Sequence, residues 1–398
     1  MTDKLFSKID KTAEINSARV LEAFRRMRVS DTMFAGTLGY GYDDNGRDTL
    51  DRIFADVFGA EDALCRIQFV NGTHAIFCAM FGALECGNTL ISITGAPYDT
   101  LRTAVGITGK GHGTLKEYGV KYLEIPMKNG RIDIAPALDA VRKTEHCAVY
   151  IQRSRGYDAR YALSVEEIGD VISKIKSVRN DINVIVDNCY GEFVETREPT
   201  HVGADIMAGS LIKNPGGGLA PMGGYVAGRA ELVNRAAERL TVPGIGRECG
   251  ATLGNNRLLY QGFFTAPHTV AQALKTAIFA AKTFEDMGYE VSPRADEERF
   301  DIIQTIELRD RETLSAFCRG IQSGAPCDAY VTPEPWDMPG YDVPVIMAAG
   351  AFVQGASIEL SADAPMREPY RVYLQGGLTY ESGKLGILRA AEEIKKRR

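Results

Sequence analysis

The sequence predicts an α/β protein: a mostly parallel, seven-stranded sheet flanked by helices, followed by a smaller α+β C-terminal domain. Three observations carry this. From residue 64 onward, short apolar runs alternate with amphipathic helical stretches, the pattern of strands joined by crossover helices and covered on both faces. The 398 residues, 45% hydrophobic and 25% charged, suffice for a large core without disulfide or metal staples. No internal repeat, low-complexity tract or apolar run of membrane-spanning length interrupts the pattern.

Taken in order, residues 1–60 read as an N-terminal helical arm with a glycine-rich break, GTLGYGYDDNGRDTLDRIF. Residues 61–265 form the large domain. Its expected strands are Cys65–Phe69, Thr89–Ile93, Lys121–Ile125, Ala148–Gln152, Asn183–Val186, Asp205–Ala208 and Gly224–Ala227. Helices are expected near 73–84, 98–107, 134–143, 165–177 and 229–240. The gap between the strands at 183 and 205 is short of a crossover helix. The strands at 205 and 224 bracket a glycine loop and suit an antiparallel hairpin. The small domain, 266–398, is expected to open with a long helix at 267–287. Strands follow at Arg299–Leu308, Val343–Met347, Ala356–Leu360 and Tyr370–Leu374, with helices near 311–321 and at Gly383–Lys396.

Composition excludes several function classes. The net charge is −6 and basic residues form no long run, which argues against nucleic acid as a partner. The terminal Lys395-Lys396-Arg397-Arg398 reads as a solvated helix end. The eight cysteines form no CxxC pair and the five histidines no HExxH, so no metal site is expected. The opening MTDKLFSKIDKTAEI lacks a secretory apolar core. A cytoplasmic protein with reduced thiols is the expectation.

Three short motifs carry chemistry. Asn71-Gly72-Thr73-His74 lies between a strand and a helix, where backbone N–H groups and the helix dipole suit a phosphate; alternatively Thr73 only caps the helix. In VDNCYG, Asp187 ends an apolar strand, where sites of doubly wound sheets lie; alternatively it caps a turn. In GSLIKNPGGG, Ser210 and Lys213 stand three apart before a glycine run. A desolvated lysine there suits an imine-forming nucleophile; alternatively it is a surface loop lysine. The stretch Gly109-Lys110-Gly111 has neither the spacing nor the hydroxyl residue of a P-loop. Phosphate cradle, strand-end carboxylate and Ser-x-x-Lys together match the needs of one cofactor, pyridoxal 5'-phosphate.

The chain resembles fold-type I pyridoxal-phosphate enzymes of the cystathionine-lyase (Cys/Met metabolism) group, and most the methionine gamma-lyase-like or aluminium-resistance branch. The stretches FVNGTHAIFCAMFGAL, SITGAPYDTL, VYIQRSRGYDARYALSVEEI, VIVDNCYGEFVE, ADIMAGSLIKNPGGGLAPMGGYVAG and YRVYLQGGLTYESGKLGI carry the resemblance. It implies that Lys213 binds the cofactor covalently and later moves the substrate's Cα proton. Asp187 would hold the pyridine nitrogen protonated. Gly72, Thr73 and Ser210 would take the phosphate. Tyr98 would stack on the ring and serve as candidate general acid at the leaving sulfur. Arg371, with Arg367 as its neighbour and rival, would bind the substrate carboxylate.

Two departures stand out. The group's phosphate-binding tyrosine and arginine from the neighbouring subunit map onto Tyr40 or Tyr42 and Arg47, at an unusual spacing. The place of its asparagine beside the cofactor oxygen is taken by Gln152-Arg153-Ser154-Arg155. The two arginines of this segment, Arg153 and Arg155, are candidates for an acidic substrate group or for inter-subunit ion pairs, with Arg155 the candidate substrate ligand. The implied activity is carbon–sulfur bond cleavage, by β- or γ-elimination, in a cystathionine-, cysteine- or methionine-like amino acid. The alternatives are another reaction on the same cofactor, of aminotransferase or aldolase type, or a non-catalytic cofactor-binding stress-response protein. The implied assembly is a homo-oligomer, a dimer at minimum and plausibly a tetramer, with neighbour contacts at 36–46 and Val242–Arg257.

Overall fold

The structure, a computed structural model, describes residues 2–338 and 342–397. The strands are β1 (Asp62–Arg66), β2 (Thr89–Ser92), β3 (Lys121–Glu124), β4 (Cys147–Gln152), β5 (Asn183–Asp187), β6 (Ile206–Ser210), β7 (Gly224–Gly228), β8 (Glu290–Ser292), β9 (Ile303–Glu307), β10 (Val345–Ala349), β11 (Ser361–Pro365) and β12 (Arg371–Gln375). The helices are α1 (Thr2–Arg26), α2 (Asn45–Phe58), α3 (Gly72–Ala83), α4 (Asp99–Val105), α5 (Ile134–Lys143), α6 (Val165–Val178), α7 (Ala230–Leu240), α8 (Asn256–Asp286), α9 (Arg311–Ser323) and α10 (Tyr380–Lys395). No described helix is long and apolar enough to cross a membrane.

The first sheet has the order β1-β7-β6-β5-β4-β2-β3. Strands β2 to β6 run parallel, while β7 is antiparallel to both β6 and β1. The expected hairpin is thus β6–β7, with Ser210 opposite Gly224. Between β5 and β6 there is only a 3-10 turn, Pro199–Val202, yet the two strands remain parallel.

Each face of this sheet buries its own core. On one face α3, α4 and α7 set Ile76, Ala79, Leu101 and Val233 against Leu90, Ile185 and Val226. On the other, α2, α6 and α8 set Phe54, Phe58, Ile168 and Phe263 against Ile91, Val184 and Tyr225. Burial on both faces is why the strands are apolar runs rather than alternating ones. The second sheet, β10-β11-β12-β9-β8, is antiparallel throughout. Its apolar face packs on α9, α10 and the end of α8 through Phe284, Phe317, Ile387 and Leu374.

Several expected boundaries move. β1 lies at Asp62–Arg66 rather than Cys65–Phe69; Phe69 is buried too, but in the turn entering α3. The long helix starts at Asn256 rather than 267, carries Pro267 inside it and takes in the end of the Val242–Arg257 loop. Residues Ala356–Leu360 form a turn, and the strand is the next five residues. The Glu359 carboxylate accepts from the N–H groups of Phe352 and Val353 at 2.9 Å, so it closes a loop instead of facing a neighbour strand. The three-residue edge strand β8 was not expected; it gains its order by pairing with β9.

The arm is part of the fold rather than an appendage. Phe24 of α1 meets Tyr260 of α8 edge to face, with centroids 5.8 Å apart. Asn16 donates to the carbonyls of Phe193 and Glu195 at 3.1 and 3.0 Å. These lie a few residues beyond the end of β5, so the arm braces the turn that follows Asp187.

Candidate active site

The C-terminal ends of β4, β5 and β6 place the key side chains together. Gln152 and Asp187 pair across the β4–β5 ladder. Asp187 is 3% exposed. One carboxylate oxygen accepts from the Cys189 N–H at 3.0 Å and the other from the Tyr150 hydroxyl at 3.4 Å. Burial pushes its pKa above the usual carboxylate range, and the positive charge of Lys213 only partly offsets this. A carboxyl so placed is a strong acceptor for a further protonated nitrogen.

Lys213 follows β6 at the start of a 3-10 turn, Asn214–Gly216. Gly217 closes this turn at φ +57°, and a Cβ there would collide with the carbonyl of Gly262. The glycine run therefore lets the loop lie directly on α8. The Lys213 Nζ sits over the ring of Tyr190, 3.9 Å from its centroid. Burial disfavours the ammonium, while the charge of the Asp187 carboxylate favours it.

The residues expected to take a phosphate meet where α3 abuts β6. Gly72 and Thr73 are the first two residues of α3, whose N–H groups have no acceptor within the helix. Asn71 caps the next turn by accepting from the His74 N–H at 2.9 Å. A Cβ on Gly72 would approach the Ser210 Cβ to 2.9 Å, so glycine is what allows Ser210 to sit against the helix end. The Tyr98 hydroxyl donates to the Thr73 hydroxyl at 2.8 Å, and the Tyr98 N–H donates to the Gln152 side chain at 3.0 Å. Burial pushes the Tyr98 phenol well above its ordinary value, so it keeps its proton.

Tyr98, Gln152, Asp187, Cys189, Tyr190 and Lys213 line one cavity of about 380 Å³, together with Arg102, Arg155, Arg160 and Arg367. Gly72, Thr73 and Ser210 are not in its lining, and Thr73 meets it through the Tyr98 hydroxyl. Other expected site residues lie elsewhere. The Arg371 guanidinium pairs with Glu307 on the adjacent strand and lines a neighbouring cleft. Arg155 borders the cavity, but its guanidinium donates to the carbonyl and hydroxyl of Ser292, both at 3.1 Å. Arg153 is wholly buried and holds Asn188, Glu195 and Glu198 at 2.8, 2.7 and 3.2 Å. It forms an ion network within its own chain, behind the strand end that presents Asp187. Arg47 is buried and donates to the carbonyls of Gly41 and Gly250 at 2.6 and 3.2 Å. Tyr40 and Tyr42 stack at the surface, away from this cavity's lining, with centroids 5.6 Å apart.

Tyr190, Arg102 and Arg160 line the cavity without having been singled out from the sequence, and Gln152 was noted only as part of a segment. The signal for Gln152 is its position at a strand end; Tyr190 has none apart from its closeness to Asp187. Beneath the site lies Glu192, also not singled out, with no exposure at all. One of its oxygens accepts from the Tyr225 hydroxyl at 2.8 Å and the other has no partner. Burial, with Glu198 adding to it, pushes the carboxyl up to about 8.

A cavity that brings together a lysine and a buried carboxyl fits pyridoxal phosphate, with the expected phosphate residues joined to it through Tyr98. Fold and site together define a fold-type I pyridoxal-phosphate enzyme. The comparisons with known proteins carry this further. The methionine gamma-lyase family matches residues 2–395. A carbon–sulfur lyase involved in aluminum resistance from Clostridium novyi is 50% identical, with a TM-score of 0.95 over 99% of this chain and 93% of that one. A protein assigned as a cystathionine beta-lyase involved in aluminum resistance, from Clostridium acetobutylicum, has the same identity and TM-score over 98% and 92%. An uncharacterised Bacillus subtilis protein is 50% identical over 98% of this chain and 93% of its own length. A methionine gamma lyase from Micromonospora echinospora shares the fold at 16% identity, with a TM-score of 0.58 over 86% of each chain. The chain belongs to the methionine gamma-lyase family, whose members are pyridoxal-phosphate-dependent lyases.

Glu192 yields a prediction about stability. Its folded pKa is raised from the carboxylate range to about 8. The native state therefore holds a proton that the unfolded chain has already released. The stability associated with that proton is present below pH ~4.5 and is lost as pH rises through about 8. Glu192→Gln keeps the shape and stays neutral. Urea midpoints at pH 5 and pH 8 should differ less for the variant than for the natural protein. An equal difference in the two would mean that Glu192 is ionised in the fold.

Proposed function

We propose that the chain cleaves a carbon–sulfur bond in a small sulfur-containing amino acid, with Lys213 as the reacting lysine. The observation that carries this is the meeting of Lys213 and Asp187 in one cavity, whose Tyr98 hydroxyl reaches Thr73 at the start of α3. Bound there, pyridoxal phosphate supplies an aldehyde for Lys213 and a ring that takes up the electron pair left when Cα loses its proton. Asp187 would hold the ring nitrogen protonated, an interaction its low-dielectric setting would strengthen. Gly72, Thr73 and Ser210 would hold the phosphate, with the α3 dipole behind them. Tyr98 forms a wall of the site; its hydroxyl is engaged with Thr73, which favours a stacking role over proton delivery to sulfur. Lys213 takes the Cα proton through Nζ. The thiol then leaves, and water releases the remaining skeleton as a keto acid and ammonia.

Borohydride treatment of the cofactor-loaded protein followed by peptide mapping should place a pyridoxyl group on Lys213. Cystathionine and related thioether amino acids should then yield thiol, keto acid and ammonia without any added keto acid. A label on another lysine would overturn the site. A requirement for an added keto acid would overturn the lyase reading in favour of amino transfer.

For the substrate carboxylate the geometry favours Arg367, which lines the cavity, over Arg371, which is committed to Glu307. A charge-assisted pair of this kind contributes about 1.5–3 kcal/mol. Arg367→Met should raise KM roughly 10- to 100-fold, and Arg371→Met much less. The reverse order would return the role to Arg371.

The reading includes a homodimer at minimum. Leu38, Tyr40 and Leu253 are 79%, 73% and 60% exposed, on two segments joined by the Gly250 N–H to Tyr40 carbonyl bond at 2.9 Å and by Arg47. An ordered apolar display of this kind suits a subunit contact. Sedimentation velocity should show no monomer at micromolar concentration; a monomer with full activity would refute a shared site.

A further inference from the structure

Tyr190 is the residue of the site whose placement is hardest to explain by packing alone. It has φ +70°, a left-handed conformation that is uncommon for a bulky side chain. That conformation turns the chain just after Asp187 and sends the ring beneath Lys213, with the Nζ 3.9 Å from the ring centroid. The Tyr190 hydroxyl shares a hydrogen bond with the Ser357 hydroxyl at 3.2 Å. Ser357 lies in the turn before β11, so this bond reaches from the large sheet's site to the small sheet. The same ring lines the cavity. One side chain thus touches the reacting lysine with its face and the second domain with its tip.

We propose that Tyr190 is the positioning residue for Lys213: its ring face holds the protonated Nζ beside Asp187 whenever that nitrogen is not covalently engaged, and its hydroxyl ties this position to the small domain through Ser357. This rests on the reading of Lys213 as the reacting lysine. A lysine that takes a proton from Cα becomes an ammonium inside a water-poor cavity. A ring face attracts an ammonium and does not attract the neutral amine in the same way. Unlike a carboxylate, the ring face attracts the ammonium without bringing a formal charge of its own. The other titratable groups facing Lys213 are Asp187 and Cys189 after β5 and Tyr98 at the start of α4. Their hydrogen bonds among the described residues, to the Cys189 N–H, Tyr150, Thr73 and Gln152, stay within the large domain.

The test separates the two contacts. Tyr190→Phe keeps the ring and loses the hydroxyl; Tyr190→Leu loses both; Ser357→Ala removes only the partner of the hydroxyl. The first readout uses the protein without cofactor. The pH dependence of Lys213 acylation, followed by peptide mass spectrometry, gives the pKa of its amine. Loss of the ring should lower that pKa by about one unit in Tyr190→Leu, while Tyr190→Phe and Ser357→Ala stay near the natural value. The second readout uses the loaded enzyme. Tyr190→Leu should lower kcat with little change in KM, and the isotope effect on the Cα proton should grow. Tyr190→Phe and Ser357→Ala should show equal, non-additive effects in the double variant. An unchanged Lys213 pKa in a folded Tyr190→Leu protein would overturn the role of the ring. If Tyr190→Leu does not fold, additive effects of Tyr190→Phe and Ser357→Ala would still overturn the link to the small domain. The acylation readout needs no substrate, so it fails or succeeds independently of the lyase reading.

Discussion

Asp187 and Lys213 share one desolvated cavity floor, and the arrangement of this protein follows from what that costs. Neither charge would survive alone in such a place, because removing an ion from water costs several kcal/mol. Together they are tolerated, and the surroundings are shaped to hold them. The Cys189 N–H and the Tyr150 hydroxyl bond the carboxyl. The Tyr190 ring lies against the ammonium. The glycine turn seats the lysine loop on α8. The carboxyl pKa nevertheless remains above its ordinary range, and this keeps the site receptive to a protonated ring nitrogen.

Buried charge continues behind the site. Arg153, with no exposure, gathers Asn188, Glu195 and Glu198. The arm reaches the same turn through Asn16. Such a network contributes little net stability compared with an apolar core, but removing one partner leaves charges stranded. Its evident effect is to fix the backbone on the far side of Asp187. Glu192, buried with one oxygen unpartnered, belongs to the same layer. The catalytic face and this polar layer are two sides of a single stretch of chain.

The site is also where the two sheets meet. Ser154 donates to the Asp301 carboxylate at 2.9 Å, and the Arg155 guanidinium reaches Ser292. The loop that follows β4 is thereby fastened to the small domain. Arg367, just after β11, comes to the cavity rim. The residues proposed to recognise substrate therefore lie far apart in the chain, whereas the proposed cofactor contacts all come from the first sheet and the start of α3.

Much of this was legible in the sequence because it is local. Apolar runs buried on both faces mark the parallel strands, and the order of Gly72-Thr73, Asp187 and Ser210-x-x-Lys213 suggested the cofactor by its chemistry. The hairpin around the glycine loop followed from the two strands that bracket it, whereas the gap between the strands at 183 and 205, short of a crossover helix, still joins parallel strands. The rest depended on which distant groups became neighbours. Arg371 and Arg367 are four residues apart and alike in type; only the pairing of β12 with β9 sets Glu307 beside Arg371 and leaves Arg367 at the cavity. Arg153 and Arg155 looked like substrate or subunit charges, until folding placed acidic partners around Arg153 and Ser292 beside Arg155. Tyr190 carries no motif of its own: its meaning comes from a backbone turn and from Ser357, 167 residues further on. Periodicity and motif order report contacts within a few residues, but the partner of a long charged or aromatic side chain is decided by the packing of the whole chain.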